Sequence, residues 1–194
     1  MSDNILLSLY KSSQTVFLVK ELSLRFTTIP YKNLKSRLHY LAKTGKLRHI
    51  RRGAYVKDPY DPLELANKLY TPSYISFETV LGKAGMVFQQ YDTIFVASYL
   101  SRKVRLENKD FYYRKLTDAV LLNSKGIEQN ESYAIATPER AFLDAVFLYK
   151  SYHFDNLSPL NWEKVYELLP LYDSKALKIR IEKYHSNYKH DYAK

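Results

Sequence analysis

The stretch Tyr31-Lys32-Asn33-Leu34-Lys35-Ser36-Arg37-Leu38-His39-Tyr40-Leu41-Ala42-Lys43-Thr44-Gly45-Lys46-Leu47-Arg48-His49-Ile50-Arg51-Arg52-Gly53-Ala54-Tyr55-Val56 decides how the first part of this chain folds. At about 100° per residue, Leu34, Leu38 and Leu41 fall on one apolar stripe of a helix over about 31–44. Lys32, Lys35, Ser36, His39 and Lys43 fall on the opposite side, and Arg37 lies about 60° from the stripe. Gly45 stands where a left-handed C-cap residue is expected. Beyond it, 47–50 and 54–56 read as a β-hairpin turned at Arg51-Arg52-Gly53, with Gly53 supplying the unusual backbone angle.

Upstream, Ile5, Leu6, Leu9 and Tyr10 suggest a helix from Asn4 to Lys11, and 15–17 a single strand. Val19, Leu22 and Phe26 mark a second helix over 18–26, and Pro30 suits the entry to the third. Three helices followed by a two-stranded hairpin with an Arg-Arg tip is the order of a winged helix-turn-helix. That fold places its last helix in the DNA major groove and its hairpin near the backbone or minor groove. The charge agrees. Residues 1–57 hold 12 Lys/Arg against two acids, a net +10, whereas the other 137 residues carry 18 of each sign and sum to zero. A basic module joined to a neutral one is the footprint of a polyanion partner, nucleic acid ahead of anionic membrane.

Asp58-Pro59-Tyr60-Asp61-Pro62 marks the boundary. The expected domains are a DNA-binding unit at 1–57, a linker with a short helix at 58–72 and a larger domain at 73–194. Asp61 can cap a helix over 62–69 with Pro62 at its first turn. Ser76 reads as the N-cap of a helix running to Ala84 and stopped by Gly85. Residues 93–100, 104–106, 111–116 and 119–122 are β-rich runs, so a small sheet is expected. Thr137 caps the next helix, with Pro138 first and Glu139 by its positive end, and Ala141, Phe142, Ala145, Val146 and Tyr149 turned inward. Helices over 161–169 and 174–187 close the chain. The fold class is α+β: a winged helix-turn-helix followed by a mixed α/β domain with a small sheet and several helices.

Three strings resemble a known family. Leu38-His39-Tyr40-Leu41…Gly45-Lys46-Leu47…Arg51-Arg52-Gly53-Ala54-Tyr55, then Tyr74-Ile75-Ser76-Phe77-Glu78-Thr79-Val80-Leu81, then Ile135-Ala136-Thr137-Pro138-Glu139-Arg140-Ala141-Phe142-Leu143-Asp144 resemble the AbiEi-type antitoxins. These belong to bacterial type IV toxin–antitoxin systems linked to abortive infection of phage. The match spans about 15–150, and its Thr-Pro-Glu-Arg helix start is the most specific part. The resemblance implies a winged helix that binds inverted repeats upstream of its own operon and represses transcription. It also implies a C-terminal domain that helps repression and counters a nucleotidyltransferase-like toxin without a stable complex. It implies no catalytic activity and no cofactor, and beyond Leu157 it implies nothing.

On this reading Ser36, His39 and Tyr40 meet base edges, while Lys32, Lys35 and Lys43 meet phosphates, which position without specifying. Lys46 and Arg48 contact the backbone, and Arg51 and Arg52 reach toward a narrow minor groove. About six neutralised phosphates give a log–log salt slope near −5. Of the 19 Tyr only Tyr10, Tyr31, Tyr40 and Tyr55 lie in the basic module, so an aromatic platform for single strands is not expected. Tyr74, Ser76, Glu78, Thr137, Glu139, Arg140 and Asp144 form a motif that reads either as a polar interaction site or as helix capping with local ion pairs. Two further readings stay open. The basic patch could bind an acidic protein, the toxin included. Asp92 with Glu107-Asn108-Lys109 loosely fits the carboxylate pair and lysine of a metal-dependent nuclease.

The absence of cysteine excludes thiol chemistry and a disulfide framework, and the five histidines show no metal-ligand spacing on one helix face. No apolar run approaches the roughly 18 residues of a membrane span. Met1-Ser2-Asp3-Asn4 lacks the basic start of a signal peptide, so a cytoplasmic protein is expected.

Overall fold

The computed structural model describes residues 5–89 and 92–192. The expected helix start at Asn4, and residues 1–3, lie outside the described residues. α1 (Ile5–Lys11), β1 (Val16–Leu18), α2 (Val19–Arg25), α3 (Tyr31–Lys43), β2 (Arg48–Arg51) and β3 (Ala54–Val56) follow one another. The apolar stripe of α3 forms them into a unit. Leu34 and Leu38 are fully buried among Ile5, Leu9, Phe17, Leu22, Phe26, Leu47 and Tyr55, with Leu41 packed at the edge. The three strands form an antiparallel sheet in the order β1-β3-β2. Gly45 and Gly53 take φ of +70° and +79°, as a left-handed C-cap and a tight hairpin turn require.

The rest of the chain builds on a six-stranded mixed sheet in the order β6-β7-β5-β4-β9-β8. Its strands are β4 (Ser73–Ile75), β5 (Thr93–Ser98), β6 (Arg102–Leu106), β7 (Lys109–Lys115), β8 (Ile127–Gln129) and β9 (Ala134–Ala136). The helices are α4 (Pro62–Leu69), α5 (Glu78–Lys83), α6 (Asp118–Leu121), α7 (Pro138–Leu148), α8 (Trp162–Leu168) and α9 (Lys175–Tyr192), with a 3₁₀ turn at Leu169–Tyr172. α4 lies on one face of the sheet, where the Tyr113 hydroxyl donates to the Ala66 carbonyl at 2.7 Å. α5 packs on β5 and α7, and α7 packs on β9. The described residues form an α+β fold with two sheets and two apolar cores.

Local capping chemistry sets several boundaries. The Asp61 carboxylate accepts from the Leu63 N–H at 2.8 Å, Thr137 Oγ1 from Arg140 at 3.3 Å and Asn161 from Lys164 at 3.2 Å. Other boundaries depart from expectation. The run 119–122, expected to be β-rich, instead supplies most of α6 (Asp118–Leu121), closed by N–H bonds from Leu121 and Leu122 to the carbonyls of Thr117 and Asp118. Val120 and Leu121 are buried, and a buried helical turn has the same apolar composition as a buried strand. Ser76 does not cap α5. The N-cap is Phe77, at φ +53°, and the Ser76 hydroxyl goes to Asp144 instead.

Segment 58–72 joins the two cores through charge. On α4, Glu64 is fully buried and pairs with Lys68 at 2.9 Å. Glu64 Oε2 accepts from both the N–H and the hydroxyl of Thr15, each at 2.7 Å. Lys68 donates to the Val16 carbonyl at 2.7 Å and faces Glu21 at 3.6 Å. Val16 and Val56 point into the second core.

Gly126 tests the packing of the larger core. It takes φ of +71°, and a Cβ there would meet Arg140 Cβ and Leu168 Cδ1 at 3.0 Å. Gly45, at a similar φ, has nothing within 4 Å of a built Cβ. Gly45→Ala therefore carries only the left-handed penalty of about 1–2 kcal/mol. Gly126→Ala adds steric overlap and is expected to lower the urea midpoint further than Gly45→Ala does.

Candidate nucleic-acid interface

The helix stripe that buries Leu34 and Leu38 forces the intervening positions outward. Lys32, Lys35, Ser36, Arg37, His39, Tyr40 and Lys43 are all exposed, Tyr40 by 65%. The face is basic and aromatic, with no acidic residue on α3. The Ser36 hydroxyl donates to the Lys32 carbonyl at 3.0 Å, so its remaining capacity toward a base is as an acceptor. Lys46 is exposed just beyond the helix, and its carbonyl accepts from Tyr10 at 2.8 Å.

The hairpin cations divide by environment. Arg48 is held 3.3 Å from Glu107 and 3.6 Å from Asp58, with its guanidinium over the Tyr60 ring at 5.3 Å. It ties β2 to the larger unit. Arg51 stands over the Tyr70 ring at 5.7 Å, whereas Arg52 is exposed at the turn. Arg51 and Arg52 border a cleft of about 480 Å³ together with Lys20, Tyr31, Tyr70 and Tyr99. Arg102 of β6 donates to the Tyr70 hydroxyl at 3.1 Å, close to Arg51. Burial tends to raise the Tyr70 phenol, but hydrogen bonds from Arg102 and Arg51 bring it below its ordinary value. Sequence reasoning missed Lys20 and Arg102. The Arg102-Lys103 pair was a visible signal for the second, on an edge strand where exposed cations also discourage pairing with other chains.

The second motif lies in the interior. Arg140 and Asp144, one turn apart on α7, are fully buried and 3.4 Å apart. Asp144 accepts from Tyr74 at 2.9 Å, Ser76 at 2.7 Å and Tyr172 at 2.6 Å. Arg140 donates to the carbonyls of Lys125 and Val120 and to the Tyr74 hydroxyl. Burial pushes the Asp144 carboxyl up, against the pull of Arg140 and the three hydroxyls. Burial works against the Arg140 charge too, yet Tyr172, Tyr74 and Asp144 hold that group above its ordinary value. Glu139 is buried and accepts from the Asn161 N–H at 3.2 Å. Thr137 caps α7. Glu78, also one of the motif residues, borders a surface concavity. The chain reaches it through Phe77 at φ +53°, a conformation that costs a bulky residue about 1–3 kcal/mol.

Asp92 is exposed at the start of β5, and Glu107 is engaged by Arg48 and by the Tyr60 hydroxyl at 3.3 Å. Among the described residues no group of three or more His, Asp or Glu stands close enough to hold a metal ion. No described helix is long and apolar enough to cross a membrane. No protein-family model matches the chain, and no curated protein matches it.

The buried network separates scaffolding from surface chemistry. Asp144→Ala leaves the Arg140 charge buried without its counter-ion, at a cost of about 3–5 kcal/mol. Ser76→Ala removes one donor to a carboxylate that keeps two, at about 1 kcal/mol. Chemical denaturation is expected to rank the two in that order.

Proposed function

We propose that the N-terminal unit is a winged helix-turn-helix that binds double-stranded DNA, with α3 in the major groove and the β2–β3 turn as the wing. One observation carries this reading: the polar face of α3 presents Lys32, Lys35, His39, Tyr40 and Lys43 outward, beside the exposed Arg52. A helix presents its outer side chains to a groove about 12 Å wide, and base-edge contacts specify while cations position. In this reading His39, Tyr40 and the acceptor side of Ser36 read bases. Lys32, Lys35, Lys43, Lys46 and Arg52 neutralise phosphates. Arg51 approaches the backbone beside Tyr70, and Arg48 braces the wing.

We further propose, on the resemblance of the three strings, that the protein is a cytoplasmic antitoxin of the AbiEi type. It would repress its own operon through inverted repeats and counter a nucleotidyltransferase-like toxin without a stable complex, acting by binding and not by catalysis. In this reading residues 1–57 bind DNA, and residues 73–194, joined to them through α4, serve the antitoxin role. The burial of Arg140 and Asp144 supports a scaffolding part for the Thr137–Asp144 string.

A mobility-shift titration tests the DNA reading, using the duplex directly upstream of the gene against a scrambled duplex at two salt concentrations. Sequence-selective retardation that survives the higher salt is the expected result. Lys35→Ala with Lys43→Ala should lower affinity for both duplexes and reduce the salt slope by about 2. His39→Ala should reduce discrimination by about 1–3 kcal/mol while leaving non-specific binding alone. Weak binding to both duplexes, unchanged by these substitutions, would overturn the assignment.

A further inference from the structure

The chemistry outside the DNA-facing unit concentrates on one face of the larger sheet. Strand register aligns Lys103 of β6, Tyr112 of β7 and Phe95 of β5 side by side, and Arg105, Asp110 and Thr93 in the next row. Arg114 of β7 follows on the same face, two residues beyond Tyr112. With Glu78 of α5 these residues border a half-open concavity of about 600 Å³, within the range of small-ligand sites. Although residues 58–194 are neutral as a whole, residues 102–115 hold six cations against two acids.

One atom on each of two residues bordering this concavity lacks a hydrogen-bond partner among the described residues. Glu78 is 8% exposed, and its Oε2 has no hydrogen-bond partner among the described residues. Its Oε1 accepts from Tyr152 at 3.3 Å. Burial pushes the carboxyl up, opposed by its own backbone N–H, by Arg114 and by Tyr152. Arg114 Nε is likewise buried and without a partner among the described residues. Its guanidinium is fixed over the rings of Tyr112 at 4.0 Å and Tyr149 at 4.9 Å. An acceptor on Glu78 and a donor on Arg114, both just beneath the concavity lining, would suit a ligand edge with an N–H beside a carbonyl once the two side chains rotate to meet it. At the mouth, Lys103 and Arg105 are exposed on the edge strand, Lys103 4.7 Å over the Tyr112 ring and Arg105 in a loose 3.8 Å pair with Asp110. Such cations suit a phosphate.

We infer that this concavity binds a nucleotide, with an oxo-base edge on Glu78 and Arg114 and its phosphate on Lys103 and Arg105. Guanine and uracil offer an N–H next to a carbonyl on their pairing edge, whereas adenine has no carbonyl. The nucleotide is either free or the terminal unit of a single strand. The site is separate from α3 and does not rest on the DNA reading.

Calorimetric titration of the full chain with GMP, UMP, AMP and guanosine tests the assignment. GMP and UMP are expected to bind saturably, with AMP and guanosine each weaker by about tenfold or more. Lys103→Ala with Arg105→Ala, both exposed, should weaken GMP by about tenfold with Tm unchanged. Arg51→Ala with Arg52→Ala should leave GMP binding intact. Glu78→Gln should narrow the gap between GMP and AMP. Absence of saturable binding by GMP and UMP to about 5 mM overturns the proposal. So does GMP binding that ignores the Lys103/Arg105 change, or that is lost with Arg51 and Arg52. A short single-stranded oligonucleotide separates the sources: tighter binding than GMP through Lys103 and Arg105 assigns a chain end, and weaker binding a free nucleotide.

Discussion

Arg140 carries a permanent charge at a point no solvent reaches, and the larger unit is arranged around that constraint. Its guanidinium has to be met by a counter-ion and by acceptors at fixed positions. They come from distant parts of the chain: Asp144 one turn on, carbonyls at Val120 and Lys125, and the Tyr74 hydroxyl from β4. Tyr172, on the 3₁₀ turn, closes the other side of Asp144. Replacing a buried pair of this kind by apolar residues is often neutral, so its contribution is better described as selectivity among packings than as net stability. An alternative register of β4, or a rotated α7, would strand a charge.

That arrangement changes the meaning of the two downstream strings that carry the family resemblance. Tyr74 and Ser76 belong to one string, and Thr137, Arg140 and Asp144 to the other. In space they are a single hydrogen-bonded network. Each string is therefore constrained by the other, and by the interior, without any ligand. Glu78 differs: it follows the strained Phe77 and turns toward the surface concavity while its neighbours turn inward. The string thus joins two positions within three residues, one in the buried network and one, itself buried, that borders the concavity.

What was legible in the sequence was what local physics determines. Leu34 and Leu38 recur at helical spacing, and α3 runs from Tyr31 to Lys43. Asp61 and Thr137 cap through side chains two or three residues from their donors, so short-range chemistry revealed those helix starts. Distance hid the rest. Ser76 has the composition of an N-cap, but its hydroxyl is claimed by a carboxylate 68 positions away. β4, β8 and β9 are three residues each, too short to show alternation, and β9 is buried throughout. The run at 119–122 could be strand or helix by composition, and the Thr117 and Asp118 carbonyls decided it. Of the residues proposed to face DNA, the exposure of those on α3 followed from its stripe. The bracing of Arg48 by Asp58, Glu107 and Tyr60 could not, since Glu107 lies 59 positions downstream.

Net charge, too, changes meaning once its members are placed. Lys57 donates to the Ser12 carbonyl at 2.5 Å and lies over the Phe17 ring, and burial lowers its pKa despite nearby Glu64. Lys57, and Arg48 in its acidic bracket, are thus N-terminal cations with structural partners. Lys68, from the neutral half, is spent on Glu64 and Glu21 at the joint. By contrast, no ion pair within the described residues engages Lys32, Lys35, Lys43, Lys46 or Arg52. Counterion release scales with the phosphates a protein can meet, so under the proposed DNA reading this subset, and not the formal +10, would set the electrostatic reach of the α3 face. The same logic runs in reverse for the neutral half. Its zero sum conceals the excess of residues 102–115, concentrated on two adjacent strands, where charge acts on a ligand by position and not by total.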